Sequence, residues 1–420
     1  SSRDFRFEFF GGEPLFNAGA IKSVLEFEKK VRRREAGFEV FADKIGGRII
    51  NRISTNLTSL DDDILKLLAE GDFIISVSID GARKTQNAQR PYKTGEGSYD
   101  DIINNVKKIK AAAPHLTVVA RITVYSNPSG FLEELKELVS LNIFDYCSVY
   151  CAAIGSSDGG GLSLAEEFKT SYRMMAENYG SLLSGKGNIF KGCLELNRYI
   201  CYLTEGGLAL NHCRAGAGYF TLAPDGSVYP CHRLIGKTEF RIEGGLAGIE
   251  DAAKEWKTSV DERPVCRSCP IRYLCGGGCK QEALISGGSL LAYNSKICDF
   301  AGLLFESALI AAVKTGGEGL KKITQSCGAL DSLFVLCGRD NIKASREAAG
   351  ETEKILKGFA SRALFFILLI SLSAVFTFGG FRLSPFYPQI SPAGACPGTN
   401  EPWHELTVEN KGAVYLDSGY

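Results

Sequence analysis

Alternating apolar and polar positions mark the start of the chain. Phe5, Phe7 and Phe9 alternate with charged residues and precede Gly11-Gly12, which predicts a β-strand that ends in a glycine turn. Four further runs of β-branched or apolar residues predict strands, and the segments between and beside them have helical periodicity. The later strands are predicted at 48–55, 73–80, 117–125 and 144–151, and the helices at 18–34, 61–68, 99–112 and 131–141.

This alternation of strand and helix is typical of parallel βαβ units. The loops at the carboxyl ends of such strands form the expected ligand-binding face. Because five strands are visible, an open or partial barrel is favoured over a closed barrel of eight strands. The pattern ends near residue 155, where a Gly/Ser-rich stretch leads to a helical connector at 165–183 and then to a cysteine-rich region.

The last hundred residues have a different character. Residues 314–357 are polar and predicted to be partly helical, with little that resembles a core. Residues 363–381 carry no charge, and a helix of about 20 apolar residues spans a bilayer. A buried core helix is the alternative. Basic residues lie mainly before this stretch. By the positive-inside tendency, this predicts that the body of the chain is cytoplasmic, with possible single-pass membrane anchoring, and that the tail at 382–420 lies outside.

Composition narrows the class of protein. Lys and Arg together number 48, as do Asp and Glu, and no long basic run is present, which argues against a nucleic-acid partner. The charged segment at 1–8 is not a secretory signal. Met174 and Met175 are the only methionines, so we expect the sequence to be an N-terminally truncated fragment.

Half of the 14 cysteines follow one spacing pattern, C-x12-G-x4-C, C-x2-C-x5-C-x3-C and a final C. This pattern favours metal–thiolate chemistry in a reducing compartment over a disulfide framework. Thiolates bind soft iron in groups of four, so seven ligands exceed one cluster. Zinc is the competing metal, because C-x2-C pairs also build zinc ribbons. The seven are Cys213, Cys231, Cys266, Cys269, Cys275, Cys279 and Cys298.

The neighbours of these cysteines fit a cluster site. The turn at 224–226 predicts a hairpin that brings Cys213 and Cys231 together, and the three glycines at 276–278 leave the backbone free to pack around a cluster. The other cysteines have no ligand spacing, and we interpret six of them as small buried side chains. These six are Cys147, Cys151, Cys193, Cys201, Cys327 and Cys337.

The segments 213–233, CRAGAGYFTLAPDGSVYPCHR, and 266–279, CRSCPIRYLCGGGC, closely resemble the SPASM domain of radical S-adenosylmethionine (SAM) enzymes. The resemblance implies a first auxiliary [4Fe–4S] cluster held by three cysteines, with an iron open to another donor. It implies a second such cluster held by four cysteines. The first set is Cys213, Cys231 and Cys279, and the second is Cys266, Cys269, Cys275 and Cys298.

Gly11-Gly12-Glu13-Pro14 resembles the GGEP motif of the same enzymes. There the glycines let the backbone approach the methionine amino group of SAM, and the carboxylate complements its charge. Further polar residues at predicted strand ends resemble the family in order and spacing. By this resemblance Ser78 and Arg90 contact the methionine carboxylate. Ser54, Asn56, Asp80 and Arg121 lie at the same rim, and for each of the six the alternative is a cap or turn residue.

One expected motif is absent from the sequence. The C-x3-C-x2-C motif that binds the catalytic cluster should precede the glycine motif, and Cys147 with Cys151 cannot replace it because the third cysteine is missing. We therefore expect the catalytic [4Fe–4S] cluster only in a full-length protein. This fragment would be inactive alone.

The predicted fold is α/β, a partial (β/α)6 radical SAM barrel lacking its first strand, followed by a small α+β SPASM domain and a membrane-spanning helix. The predicted function is that of a radical SAM maturase that modifies a peptide or protein and receives electrons from a donor such as flavodoxin or ferredoxin. The predicted segments are a barrel at 1–180, a SPASM domain at 190–308, a linker at 309–360, a transmembrane helix at 363–381 and a tail at 382–420.

Within this family the cysteine segments look most like thioether-forming peptide maturases and the quinohemoprotein amine dehydrogenase maturation protein. A sulfatase-maturing oxidase ranks second, because that family adds a cysteine shortly before Cys213 and residues 205–212 contain none. Two alternatives come from other classes. They are a non-catalytic iron–sulfur binding or electron-transfer module and a zinc-binding, membrane-tethered scaffold.

Overall fold

The computed structural model describes residues 3–125, 128–151, 165–205, 208–327 and 413–417. Five parallel strands form one side of the sheet, in the spatial order β5-β4-β3-β2-β1. Their number and parallel direction confirm the sequence-based prediction. The strands are β1 (Arg3–Phe10), β2 (Gly46–Thr55), β3 (Ile74–Ser78), β4 (Val118–Val124) and β5 (Tyr146–Cys151).

Helices connect the strands as expected for βαβ units. Phe7 and Phe9 of β1 are buried in the core on alternate positions, which explains the apolar pattern of the first strand. Asn17 and Asp61 begin two of the helices by accepting hydrogen bonds from the backbone N–H groups of Ala20 and Ile64. The helices are α1 (Ala18–Arg32), α2 (Glu39–Ile45), α3 (Asp62–Glu70), α4 (Arg83–Gln89), α5 (Tyr99–Ala112) and α6 (Phe131–Ser140).

A short hairpin and several small helices form the cysteine-rich part, which has small cores of its own around Tyr219, Trp256 and Phe220. The elements after β5 are α7 (Glu166–Glu177), α8 (Tyr179–Leu183), α9 (Leu194–Glu205), β6 (Phe220–Leu222), β7 (Val228–Tyr229), α10 (Ile249–Trp256), α11 (Pro264–Arg267), α12 (Arg272–Cys275), α13 (Lys280–Gly287) and α14 (Ser295–Gln325). An additional strand, β8 (Ala413–Asp417), pairs antiparallel with both β1 and β6.

The predicted boundary at 309, between the SPASM domain and a polar, partly helical linker, falls inside a helix. Helix α14 runs through this position, and Ala311 and Ile323 are buried in the same core as the barrel. The kink lies at Gly316, whose φ of 72° is left-handed. Polar residues and glycines make up most of this helix beyond residue 313, which hid its buried position at Ile323. The described residues belong to one compact unit.

The interpretation of the six remaining cysteines needs one correction. Cys147, Cys151 and Cys193 are buried, as predicted, but Cys201 and Cys327 form a disulfide that joins α9 to the end of α14. Sequence spacing gave no signal for this pair, because 126 positions separate the two residues. Cys337 lies outside the described residues.

In the part of the chain that the structure describes, no helix combines the length and apolar character needed to span a bilayer. The predicted transmembrane helix at 363–381 and the predicted tail at 382–420 lie outside the described residues, apart from β8. The membrane interpretation therefore stays a sequence-based prediction.

Candidate functional site

The glycine turn after β1 places a buried carboxylate between the ends of two strands. Gly11 has a φ of 111°, a left-handed conformation that glycine adopts without steric cost. Glu13 accepts hydrogen bonds from Leu15 N at 3.0 Å, Thr55 Oγ1 at 2.7 Å and Asn56 N at 2.7 Å. Burial raises the pKa of Glu13 above its ordinary value, although these three donors oppose the change. Glu13 thus joins the carboxyl ends of β1 and β2.

Asp80 and Arg90, both predicted to lie at this rim, are partners of each other. Arg90 Nε and Nη2 donate to the two carboxylate oxygens of Asp80 at 2.5 and 3.2 Å. The backbone N–H of Thr123 also donates to Asp80, at 3.0 Å. Asp80 is buried while the Arg90 side chain is 41% exposed, so the carboxylate holds a guanidinium whose remaining surface is accessible.

The other predicted SAM contacts lie on the same strand ends. Asn56 caps a local turn by accepting from Thr58 N at 3.0 Å, which matches the alternative interpretation of this residue. Ser78 is the register partner of Arg121 across β3 and β4, and Ser54 lies on the next strand opposite Ser76. The Arg121 guanidinium lies over the Phe10 ring, 5.7 Å from its centroid, directly before the glycine turn.

Two cysteines of the predicted first cluster, Cys213 and Cys279, lie close enough to the third, Cys231, to affect its pKa. Burial, followed by the charge of Cys213 and a smaller effect of Cys279, raises the pKa of Cys231 to about 12. The backbone N–H of Arg233 opposes these effects by donating a hydrogen bond to Cys231. Cys213 and Cys231 flank the β6–β7 hairpin, and Cys279 directly precedes α13.

The four cysteines of the predicted second cluster form a separate group. Burial, followed by the charges of Cys275, Cys266 and Cys269, raises the pKa of Cys298 to about 12. Burial likewise raises the pKa of Cys275, which also responds to Cys266 and Cys269. Cys298 lies in the first turn of α14, so that helix brings the last cysteine of the motif back to the other three.

The three glycines between Cys275 and Cys279 are all in the left-handed region, with φ values of 72°, 85° and 75°. A Cβ atom on Gly276 would lie 2.5 Å from the backbone of Asn211 and His212, so only glycine fits there. This packed, side-chain-free loop and a donor set made of thiols fit an inorganic cluster. Within the described ranges, no three His, Cys, Asp or Glu side chains are arranged to hold a single metal ion.

Some residues of the site were missed by sequence reasoning. Gln86 is fully buried and donates to Ser98 Oγ at 3.0 Å while accepting from Asp80 N at 2.8 Å, which fixes the loop that carries Arg90. Thr55 and Arg233 contact predicted site residues directly. Thr55 lies next to two predicted residues, and Arg233 follows Cys231 by two positions. Adjacency to a motif was therefore the one available signal.

Comparison with known proteins agrees with this geometry. Residues 6–144 match the model of the Radical SAM superfamily. A serine-type anaerobic sulfatase-maturating enzyme of Klebsiella aerogenes is 25% identical over 316 residues, which cover 71% of this chain and 70% of that relative. A cysteine-type anaerobic sulfatase-maturating enzyme of Clostridium novyi is 23% identical and covers 66% of this chain and 73% of the relative.

Solved structures share the fold. Hexahistidine-tagged anSMEcpe with bound AdoMet superposes with a TM-score of 0.56 at 18% identity, over 73% of this chain and 84% of that one. Native anSMEcpe with bound AdoMet and Kp18Cys peptide gives a TM-score of 0.55 at 17% identity, over 78% of this chain and 87% of that one.

The parallel sheet with its glycine turn defines a radical SAM domain. The chain carries a radical SAM domain and is homologous to the anaerobic sulfatase-maturating enzymes, and this homology supports an enzyme of the oxidoreductase-type maturase class. The family predicted from the GGEP-like turn and the cysteine segments is thereby confirmed.

Proposed function

We propose that this chain is the SAM-binding and auxiliary-cluster part of a maturase that oxidises a residue of a peptide or protein. One [4Fe–4S] cluster is held by Cys213, Cys231 and Cys279. A second is held by the four cysteines that include Cys266 and Cys298. The observation that supports this assignment is the proximity of the thiols. Cys213 and Cys279 lie close enough to Cys231 to raise its pKa, and Cys275, Cys266 and Cys269 lie close enough to Cys298 to raise its pKa.

The rim of the parallel sheet is the proposed SAM site. The Glu13 carboxylate lies where it can complement the methionine amino group, and Arg90, fixed by Asp80, offers N–H donors to the methionine carboxylate. Ser78 and Arg121 are adjacent across two strands and complete the polar rim. When bound and reduced by a catalytic cluster, SAM supplies the radical that removes a hydrogen atom from the substrate.

The catalytic cluster itself needs a C-x3-C-x2-C motif, which the 420 residues do not contain. The proposal for turnover therefore concerns a protein that includes such a motif. The 420 residues would supply the SAM rim and the cysteine-rich part of that protein. Binding of the two auxiliary clusters is the property that can be tested on this chain alone.

The proposed substrate class is a peptide segment. Two reaction outcomes remain, thioether formation, which the cysteine segments favour, and oxidation of a Cys or Ser side chain to an aldehyde, which the homology to sulfatase-maturating enzymes favours. Aldehyde trapping with a hydrazide separates them, because a thioether consumes a thiol without forming an aldehyde. Mass spectrometry of Cys- and Ser-containing peptides after turnover provides the measurement.

Metal analysis of the anaerobically prepared chain tests the central assignment. Two [4Fe–4S] clusters predict about eight iron and eight sulfide per chain, with broad absorption near ~400 nm. Iron and sulfide for one cluster or less after full reconstitution would contradict it. A protein that binds zinc alone would support the scaffold alternative instead.

A further inference from the structure

Arg233 contacts the sulfur atoms of two of the three cysteines in the first group. Its backbone N–H donates to Cys231, and its Nη1 donates to Cys279 Sγ over 3.8 Å. The residue lies in the short 3-10 turn His232–Leu234 that follows the β6–β7 hairpin. One arginine thus provides hydrogen bonds to sulfurs from separate parts of the chain.

The charge of Arg233 has a defined counter-charge. Its Nη2 forms an ion pair with Glu282, whose side chain is only 8% exposed, in the first turn of α13. An arginine side chain is protonated at every ordinary pH, so this contact joins a guanidinium cation to a buried carboxylate. Arg233 therefore stays charged while it contacts both a thiol and a carboxylate.

Hydrogen bonds to the sulfurs and the net charge nearby are what set the reduction potential of an iron–sulfur cluster. N–H donors and a positive charge stabilise the reduced form, which carries one more negative charge, and a buried carboxylate has the opposite effect. The Arg233 guanidinium and the Glu282 carboxylate lie side by side next to the proposed cluster of Cys213, Cys231 and Cys279.

We propose that Arg233 raises the reduction potential of the first auxiliary cluster and that Glu282 limits this rise. The pair thereby poises that cluster to accept an electron. Arg233 and Glu282 are positioning residues for this property and bind no substrate. The inference depends on the proposed function, since it needs the three cysteines to hold a cluster.

Anaerobic redox titration of the cluster-loaded chain, followed by electron paramagnetic resonance, tests the proposal. The relevant wave is the one that disappears in C231A. R233M should move this wave to lower potential by at least a tenfold change in the reduction equilibrium constant, about 59 mV for a one-electron couple. E282Q should move it to higher potential, because the charge of Arg233 is then uncompensated.

A matched control uses an arginine that is paired with a carboxylate and not with a cysteine. R173M removes the pair of Arg173 with Glu306 between α7 and α14 and should leave the wave unchanged. R233K keeps the charge and should fall between wild type and R233M. If R233M cannot retain the cluster, the directions in which R233K and E282Q shift the reduction potential test the proposal.

The experiment distinguishes failure of the proposed Arg233 role from failure of the cluster assignment. Shifts of R233M and E282Q that share one sign, or that do not exceed the shift of R173M, would overturn the role of Arg233 while leaving the cluster assignment intact. A chain that holds no iron and sulfide would overturn the proposed function and this inference together.

Discussion

The rings of Phe10 and His232 pack against each other with centroids 4.7 Å apart. Phe10 ends β1 directly before the glycine turn, and His232 directly follows Cys231. Tyr219 OH lies 2.9 Å from His232 Nδ1 and holds the ring from the hairpin side. A single aromatic contact therefore joins the proposed SAM rim to the proposed first cluster.

This contact should contribute measurable coupling between the two parts. Aromatic pairs are worth about 1 kcal/mol beyond the area that they bury. In a double-mutant cycle of F10L, H232L and the combined variant, measured by urea unfolding, we expect a coupling energy of that size. Strict additivity of the two single changes would contradict the contact.

Removal of single cysteines should separate the two clusters. C231A should lose about half of the iron, and C266A should lose the other half, because each change removes a ligand from one group only. C193A serves as the control, since Cys193 is buried in the core of the parallel sheet with its sulfur against Tyr172 and Glu195, and the change should leave the iron content unchanged. Loss of all iron in both ligand variants would show that the seven thiols form one site.

The sequence predicted the repeating units of the fold well. Helix α5 has the predicted bounds of 99–112, because its apolar spacing and the acidic first turn both mark it as a helix. Helix α4 was missed, since its sequence RKTQNAQ has a single fully buried position, Gln86, and that residue is polar. Burial of a polar side chain depends on tertiary partners that no local pattern specifies.

Residues of the candidate site that belong to a sequence motif were predicted, but the hydrogen bonds and ion pairs between distant residues of the site were not. Glu13 was identified by its turn, but its bond to Thr55 spans 42 positions and follows only from the parallel pairing of β1 and β2. Asp80 and Arg90 were both identified, yet their mutual ion pair required the geometry of the loop between them.

Glu13 should impose a pH dependence on stability. Burial raises its pKa above the ordinary 4.5, so the folded chain binds more protons than the unfolded chain between 4.5 and the raised value. The unfolding free energy of wild type relative to E13Q should therefore fall as the pH rises through this window and level off above it. Urea unfolding at a series of pH values checks the sign, with E35Q, a change at a partly exposed glutamate, as the control. A difference between wild type and E13Q that does not vary with pH would contradict the burial effect.

The disulfide between Cys201 and Cys327 should stabilise the chain substantially. A bond that closes a loop of this length restricts the unfolded chain, and native disulfides typically contribute about 2–4 kcal/mol. We expect the C201S/C327S double variant to lose unfolding free energy of that size in urea, and wild type to lose a similar amount under dithiothreitol. C151A is the matched control, because it removes a buried cysteine on β5 and leaves the bond between Cys201 and Cys327 in place, so the variant should be as sensitive to reductant as wild type. Reduction of this one bond should therefore weaken the packing of α14 on α9. Equal stability of wild type with and without reductant, together with two free thiols found at these positions by alkylation and mass spectrometry, would show that the bond does not form in solution.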